Sequence, residues 1–150
     1  MRITHIETWK VVVPIKPDAA NSPEYDPKDA VLSAFWTVPK FIVRIHTDDS
    51  ALVGIGETPR GVPESQVQKD VAELTGREVE RIDLGRLPID RNDAYPAFEQ
   101  ALFDIVGKQL GVSVARLLGQ QVRDRVLVDY WTARRTPADL ARKAREGKER

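Results

Sequence analysis

The 150-residue sequence has no cysteine, only two histidines, and no excess charge of either sign, with 23 basic and 23 acidic residues. The missing cysteines exclude disulfide bonds, thiolate zinc sites and thiol nucleophiles. Two histidines leave little room for a histidine-rich metal centre. Because the net charge is zero, no overall electrostatic field favours nucleic acid or an anionic membrane, and we predict neither as a partner.

Long apolar runs are missing as well. No stretch of about 18 apolar residues is present to span a bilayer, and the first residues lack the basic-then-apolar order of a signal peptide. We therefore predict a cytoplasmic location. Apolar residues at 41% and charged residues at 31% are ordinary for a globular chain. The length suits one domain with a core of its own but not a large barrel.

Alternation of apolar and polar residues predicts three strands, at residues 3–15, 40–46 and 51–55. The last two are separated by a short polar turn and are predicted to form an antiparallel hairpin. Between the first two strands, prolines interrupt any periodicity over residues 16–33. This segment is predicted to be a long mobile loop, and such loops are often functional.

Apolar residues three and four positions apart predict the helices, at residues 63–74, 94–110, 114–119 and 137–149. The helix at 94–110 has the longest unbroken apolar face, and the last helix begins at a capping Thr136. A further strand is predicted at Val126–Trp131. That strand and the last helix have too few apolar residues to form a core alone, so they are interpreted as part of something larger.

Three motifs accompany this order of elements. They are the loop with Gly54, Gly56 and Glu57; the helix with Glu99, Ala101, Leu102, Asp104, Ile105, Gly107 and Lys108; and Leu117, Leu118 and Gly119 before the strand at Val126. With these motifs, the chain resembles the N-terminal part of the mandelate racemase and muconate lactonizing enzyme group of the enolase superfamily.

The resemblance implies an α+β fold, with a three-stranded antiparallel sheet and a helical layer forming a capping domain at residues 1–122. Residues 123–150 are then the first strand and helix of a truncated barrel. The implied full-length enzyme is a Mg²⁺-dependent lyase or isomerase that removes the proton α to a carboxylate. Because the family's lysines and acidic metal ligands lie further along the barrel, we expect this chain to have no catalytic residue, no metal site, no cofactor and no activity of its own.

The resemblance also implies that two loops, at about residues 18–33 and 57–62, close over the barrel mouth and set specificity. The candidate specificity residues are Tyr25, Trp36, Thr58, Arg60 and Trp131. Arg60 is suited to pairing with a substrate carboxylate, and the aromatic side chains are suited to excluding water. Trp131 ends the predicted barrel strand, where barrel sites gather.

Other polar residues are assigned structural roles. Glu99 and Asp104 are five residues apart on a helix and diverge by about 140°, so they do not form an acid–base pair. His5 and His46 lie in predicted strands, and a histidine alone performs no reaction.

Several alternatives stay open for function. The implied substrate is a small-molecule carboxylate, and an acid-sugar dehydratase is the first choice among subclasses, with racemase, epimerase and cycloisomerase as alternatives. A homo-oligomer is compatible with the sequence. The chain can also be a stand-alone binding or interaction module, or a truncated product without function.

Overall fold

The computed structural model describes residues 1–25, 36–119, 121–128 and 131–149. The chain divides into two compact units. The first consists of Met1–Val11 with Pro39–Val122, and the second of Val12–Val38 with Arg123–Arg150. The capping domain and barrel fragment predicted at 1–122 and 123–150 stay a prediction.

The sheet has three antiparallel strands, as predicted, and their order is β1-β2-β3. They are β1 (Ile3–Pro14), β2 (Thr37–Thr47) and β3 (Val53–Glu57). In the hairpin, Ile45 lies opposite Gly54, and the Thr47 hydroxyl closes the turn by contacting the Leu52 carbonyl at 3.0 Å. Alternation along β2 buries Phe41, Val43 and Ile45 on one face of the sheet.

The helices also match the periodic segments of the sequence. They are α1 (Glu64–Leu74), α2 (Tyr95–Leu110), α3 (Val114–Leu117) and α4 (Pro137–Lys148), with a 3₁₀ turn at Val79–Arg81. Helix α2 ends at Gly111, whose φ of 65° is a conformation that glycine adopts without strain. Within the described residues, every helix is too short or too polar to cross a bilayer.

The core of the first unit lies between α2 and the sheet. Phe98, Leu102 and Ile105 of α2 are fully buried. A Cβ atom on Gly56 would lie 1.9 Å from the Ala97 carbonyl oxygen, and one on Gly54 would be almost as close to the helix. The helix backbone therefore rests directly on β3, and the two glycines of the motif permit that approach.

Side chains of α2 also cover the outer edge of β3. The contacts are from the Ile55 N–H to Asp104 at 3.1 Å, from the Glu57 N–H to Gln100 at 3.2 Å, and from Lys108 to the Val53 carbonyl at 2.7 Å. An uncovered edge strand presents unpaired backbone groups that invite aggregation. Asp104 thus has the structural role that its position in the helix indicated.

The prediction of a strand at Val126–Trp131 is wrong for the residues that the structure describes. Residues 126–128 and Trp131 have no regular secondary structure, and 129 and 130 lie outside the described residues. Leu127 is fully exposed. A strand is stable only when a neighbouring strand satisfies its backbone hydrogen bonds. The apolar pattern of this segment does not show whether such a neighbouring strand is present.

Candidate functional site

The start of the predicted specificity loop is fastened to the chain around α4, inside the second unit. Ser22 is fully buried, and its hydroxyl donates to Asp139 Oδ2 at 2.6 Å and accepts the Thr136 N–H at 3.0 Å. The Ser22 N–H donates to the Arg134 carbonyl at 3.0 Å. Residues 26–33 of the loop lie outside the described residues. The structure therefore locates the anchored start of the loop, residues 18–25.

A buried arginine lies at the centre of the anchored start of this loop. The Arg135 side chain is 1% exposed, and its guanidinium donates to Asp18 Oδ1 at 2.6 Å and to Asp139 Oδ2 at 2.7 Å. It also donates to the backbone carbonyls of Asp18 and Asn21, at 2.8 and 3.1 Å. The backbone of Asp18 has a φ of 58°, a conformation that aspartate tolerates better than most residues.

Three further charged residues of α4 surround the same carboxylates. Arg142 Nη2 and Lys143 Nζ each lie 2.8 Å from a carboxylate oxygen of Asp18, and Lys143 also pairs with Glu146 at 3.0 Å. We name Asp18, Arg135, Asp139, Arg142, Lys143 and Glu146 the Asp18 cluster. Its charges alternate in sign, so each carboxylate is matched by at least one cation.

The cluster keeps its carboxylates ionised. Hydrogen bonds from Lys143, Arg142 and Arg135 hold the pKa of Asp18 well below its usual range. The Ser22 hydroxyl and then Arg135 lower the pKa of Asp139 to about 2. A general base needs a pKa near the working pH. The arrangement is therefore suited to holding the loop in place and not to transferring protons.

Tyr25, Trp36 and Trp131 belong to this second unit. Tyr25 is half-buried, with the Arg134 guanidinium carbon 4.9 Å from its ring centroid, a cation–π contact. The Trp36 carbonyl accepts the Ile15 N–H at 2.9 Å, and its buried indole N–H has no acceptor among the described residues. Trp131 is 64% exposed.

Thr58 and Arg60 belong to the first unit. Thr58 is 1% exposed, its hydroxyl accepts the Phe41 N–H at 2.9 Å, and its own N–H donates to the Phe41 carbonyl at 2.9 Å. Arg60 is exposed in the turn that ends at Gly61. The hydroxyl of Thr58 is thus used to extend the pairing from β2. A substrate role for any of the five candidates stays a prediction.

The described residues do not fit Mg²⁺. This ion prefers oxygen ligands in octahedral geometry. The carboxylates of the Asp18 cluster are matched by arginine and lysine. The group of three possible ligands that the described residues bring together is His5, Glu7 and His46, two of which offer imidazole nitrogen. We therefore assign no magnesium ligand among the residues that the structure describes.

The Asp18 cluster was not recognised in the sequence. Five of its six members lie within residues 135–146, and four of them, Arg135, Asp139, Arg142 and Glu146, recur at the three- and four-residue spacing that forms ion pairs along a helix. The sixth, Asp18, is separated from Arg135 by 117 residues. No local pattern indicates a pairing over that distance.

No family model matches the chain, but curated relatives do. It is 36% identical over 107 residues to a D-galactonate dehydratase from Variovorax paradoxus (strain S110), covering 70% of this chain and 26% of the relative. It is 34% identical over 127 residues to muconate cycloisomerase 1-1 from Acinetobacter lwoffii, covering 73% and 33%. The chain therefore spans about a quarter to a third of the length of these relatives.

Solved structures share the fold. A provisionally assigned isomerase from Sinorhizobium meliloti has a TM-score of 0.62 at 26% identity, over 99% of this chain and 43% of that one. An enolase from Gibberella zeae PH-1, complexed with magnesium, formate and sulfate, has a TM-score of 0.61 at 20% identity, over 97% and 40%. The chain belongs to the enolase superfamily, and its sheet and helices are consistent with an N-terminal capping domain of the mandelate racemase and muconate lactonizing enzyme group.

Proposed function

We propose that this chain is the substrate-specificity capping part of a Mg²⁺-dependent lyase or isomerase of the enolase superfamily, and that the enzyme is an acid-sugar dehydratase. The observation that carries the proposal is the 36% identity over 107 residues to a D-galactonate dehydratase. A second D-galactonate dehydratase, from Verminephrobacter eiseniae (strain EF01-2), is 31% identical over 129 residues. Racemase, epimerase and cycloisomerase are the alternative subclasses.

In this proposal the described residues bind and orient substrate. The Asp18 cluster fixes the base of one specificity loop, so that Tyr25 is presented from a rigid support. Arg60 is an exposed arginine, and a guanidinium is the group best suited to holding a carboxylate through two parallel hydrogen bonds. Precise placement of substrate accounts for a large part of many rate enhancements.

The chemical step is assigned to the rest of the full-length enzyme. In that part of the enzyme, bound Mg²⁺ would stabilise negative charge on the substrate carboxylate. By the family resemblance, the catalytic base and the acidic metal ligands belong to later strands of the barrel, and the carboxylates of the Asp18 cluster are matched by arginine and lysine. We therefore propose that the 150-residue chain is inactive alone.

A chimaera tests the proposed specificity role. The matching segment of the Variovorax paradoxus dehydratase is replaced by this chain, and kcat and KM are measured for D-galactonate and for a panel of other acid sugars with Mg²⁺ present. We expect dehydration of at least one acid sugar, and we expect Arg60→Ala in the chimaera to raise KM by about tenfold or more because a charged hydrogen bond to substrate is lost.

Arg86→Ala serves as the matched control, because Arg86 is also an exposed arginine of a connecting segment but lies outside the proposed loops. It should leave KM unchanged. A folded, active chimaera in which Arg60→Ala and Tyr25→Phe leave KM and the preference among sugars unchanged would contradict the specificity role.

A further inference from the structure

Three potential metal ligands meet on the outer face of the sheet. His5 and Glu7 are two residues apart on β1 and therefore share a face. On β2, His46 lies between the buried residues Ile45 and Thr47, so its side chain is on the opposite face of the strand, away from the core. The His5 and His46 rings are stacked, with centroids 4.1 Å apart and planes 8° from parallel.

The ligand atoms of these residues are already close. His46 Nε2 lies 2.8 Å from Glu7 Oε2, and one ligand atom from each residue lies within 4.8 Å of the others. Two ligands on one tetrahedral zinc ion lie about 3.4 Å apart, given bonds of about 2.0–2.1 Å. Binding of one ion therefore requires His46 Nε2 and Glu7 Oε2 to separate from 2.8 Å to about 3.4 Å. It also requires the exposed His5 side chain to move by about 1–2 Å and to turn out of the stack, because an imidazole binds a metal through a lone pair in the plane of its ring.

The chemistry of this ligand set selects the kind of ion. Imidazole nitrogen suits zinc and the later first-row divalent metals, whereas magnesium prefers oxygen alone. Two histidines and one glutamate also make a complete three-ligand zinc set that leaves a fourth position for water. We propose that His5, Glu7 and His46 form a binding site for a divalent zinc-class ion that joins β1 to β2. This proposal is independent of the proposed enzymatic role.

Arg44 places a positive charge beside the site, and this charge provides a test of cation binding. Its Nη1 lies 3.7 Å from Glu7 Oε2, and its guanidinium carbon lies 5.1 Å from the ring centroid of Trp9. A fixed positive charge beside the carboxylate repels a bound cation. Removing it should therefore strengthen zinc binding, an effect that a purely structural Glu7–His46 pair does not explain.

Isothermal titration of the 150-residue chain with Zn²⁺, and separately with Mg²⁺, tests the site. We expect one Zn²⁺ per chain, with affinity lowered about tenfold or more by His5→Gln and by His46→Gln. We expect Arg44→Gln to raise the affinity about twofold to fivefold, and Mg²⁺ to show no histidine-dependent binding. The chain has two histidines and no cysteine, so these variants remove every imidazole in turn.

Glu64→Gln is the matched control, since Glu64 is an exposed carboxylate of α1 outside the site, and it should leave the zinc affinity unchanged. Thermal unfolding without metal shows whether each variant folds. If one does not, protection of the wild-type histidines by Zn²⁺ against diethylpyrocarbonate decides the question. Zinc affinity unchanged in both histidine variants, unprotected histidines, or no zinc binding at all would each overturn the proposal.

Discussion

At the scale of single residues, Arg135 is a charged side chain that is almost completely buried in the second unit. A guanidinium that is 1% exposed has lost nearly all its water, and the carboxylates, the backbone carbonyls and the Thr132 hydroxyl around it compensate for that loss. The same contacts satisfy Asp139, whose side chain is 6% exposed. Removing either partner leaves a buried charge without its match.

We predict that Arg135→Gln destabilises α4 by about 3–5 kcal/mol, the usual cost of breaking a buried ion pair from one side. Hydrogen exchange of the α4 amides measures this locally, and their protection should fall sharply. Arg145→Gln, on an exposed position of the same helix, is the control and should change protection little. Equal protection in wild type and Arg135→Gln would show that the Asp18 cluster does not hold the helix.

The same residues predict how the second unit responds to acid. The pKa values of Asp18 and Asp139 lie below the unfolded value of about 3.9, so the folded state binds protons less readily than the unfolded one. Their stabilisation is complete above about pH 4 and is lost as the pH falls toward 2. Exchange protection of α4 should decline in that window, and Asp139→Asn should show a shallower decline. A protection profile that is flat from pH 5 to pH 2 would contradict the assignment.

In the first unit, Asp70 and Asn92 connect α1 to the start of α2. Asp70 is fully buried and accepts two hydrogen bonds from the Asn92 amide, at 3.1 and 3.2 Å. Asn92 Oδ1 in turn accepts the Ala94 N–H at 2.7 Å and the Tyr95 N–H at 3.2 Å. Burial raises the pKa of Asp70, so its carboxylate depends on these two bonds.

Asn92→Ala should therefore lower the free energy of unfolding by about 2–4 kcal/mol, because the backbone N–H groups of Ala94 and Tyr95 lose their acceptor and a buried carboxylate loses its donor. Urea unfolding followed by circular dichroism measures the change. Asp93→Ala, at the neighbouring exposed position, should cost much less. Similar losses from both substitutions would mean that the Asp70–Asn92 connection contributes nothing specific.

At the scale of elements, the approach of α2 to β3 depends on the absence of two side chains. The Cβ that an alanine at Gly56 would add lies 1.9 Å from the backbone oxygen of Ala97. Backbone in the middle of a packed helix cannot withdraw as a flexible side chain can, so the helix and the strand must separate.

Gly56→Ala should cost about 3 kcal/mol or more, at or above the usual range for overpacking a core. Gly85→Ala is the matched control, because the nearest atom to its added Cβ is a side-chain oxygen of Asp83 at 3.3 Å. Both variants are compared by thermal unfolding. Comparable melting temperatures for Gly56→Ala and wild type would refute the tight contact.

The elements also show why sequence reasoning succeeded in some places and failed in others. The apolar face of α2 is periodic within the helix itself, so the helix was predicted to within one residue at its start. The strand at Val126–Trp131 has an apolar run but depends on a neighbouring strand, which no local pattern reports. Asp18 with Arg135, and His5 with His46, are pairings between distant segments, and for the same reason they became visible only in the structure.

At the scale of the whole molecule, apolar residues remain exposed in both units. Leu118 is 71% exposed in the first unit, and Val126, Leu127 and Val128 are 69–100% exposed in the second. Exposed apolar patches commonly mark surfaces that pack against other protein. The chain spans about a quarter to a third of its curated relatives. In the proposed full-length enzyme, we expect these residues to pack against the remainder of the protein.

We proposed that this chain binds and orients substrate and that the rest of the enzyme performs the chemical step. The proposal predicts that the chain alone has no dehydratase activity. Incubation with Mg²⁺ and D-galactonate should leave the substrate unchanged by NMR, because the proposal assigns the catalytic base and the magnesium ligands to the rest of the full-length enzyme. The Variovorax paradoxus dehydratase, assayed in parallel, confirms that the conditions support turnover. Dehydration by the purified chain that exceeds the buffer rate and is abolished by Arg60→Ala would place the chemistry within these 150 residues and overturn the capping assignment, whereas activity unaffected by that variant would point to a contaminating enzyme.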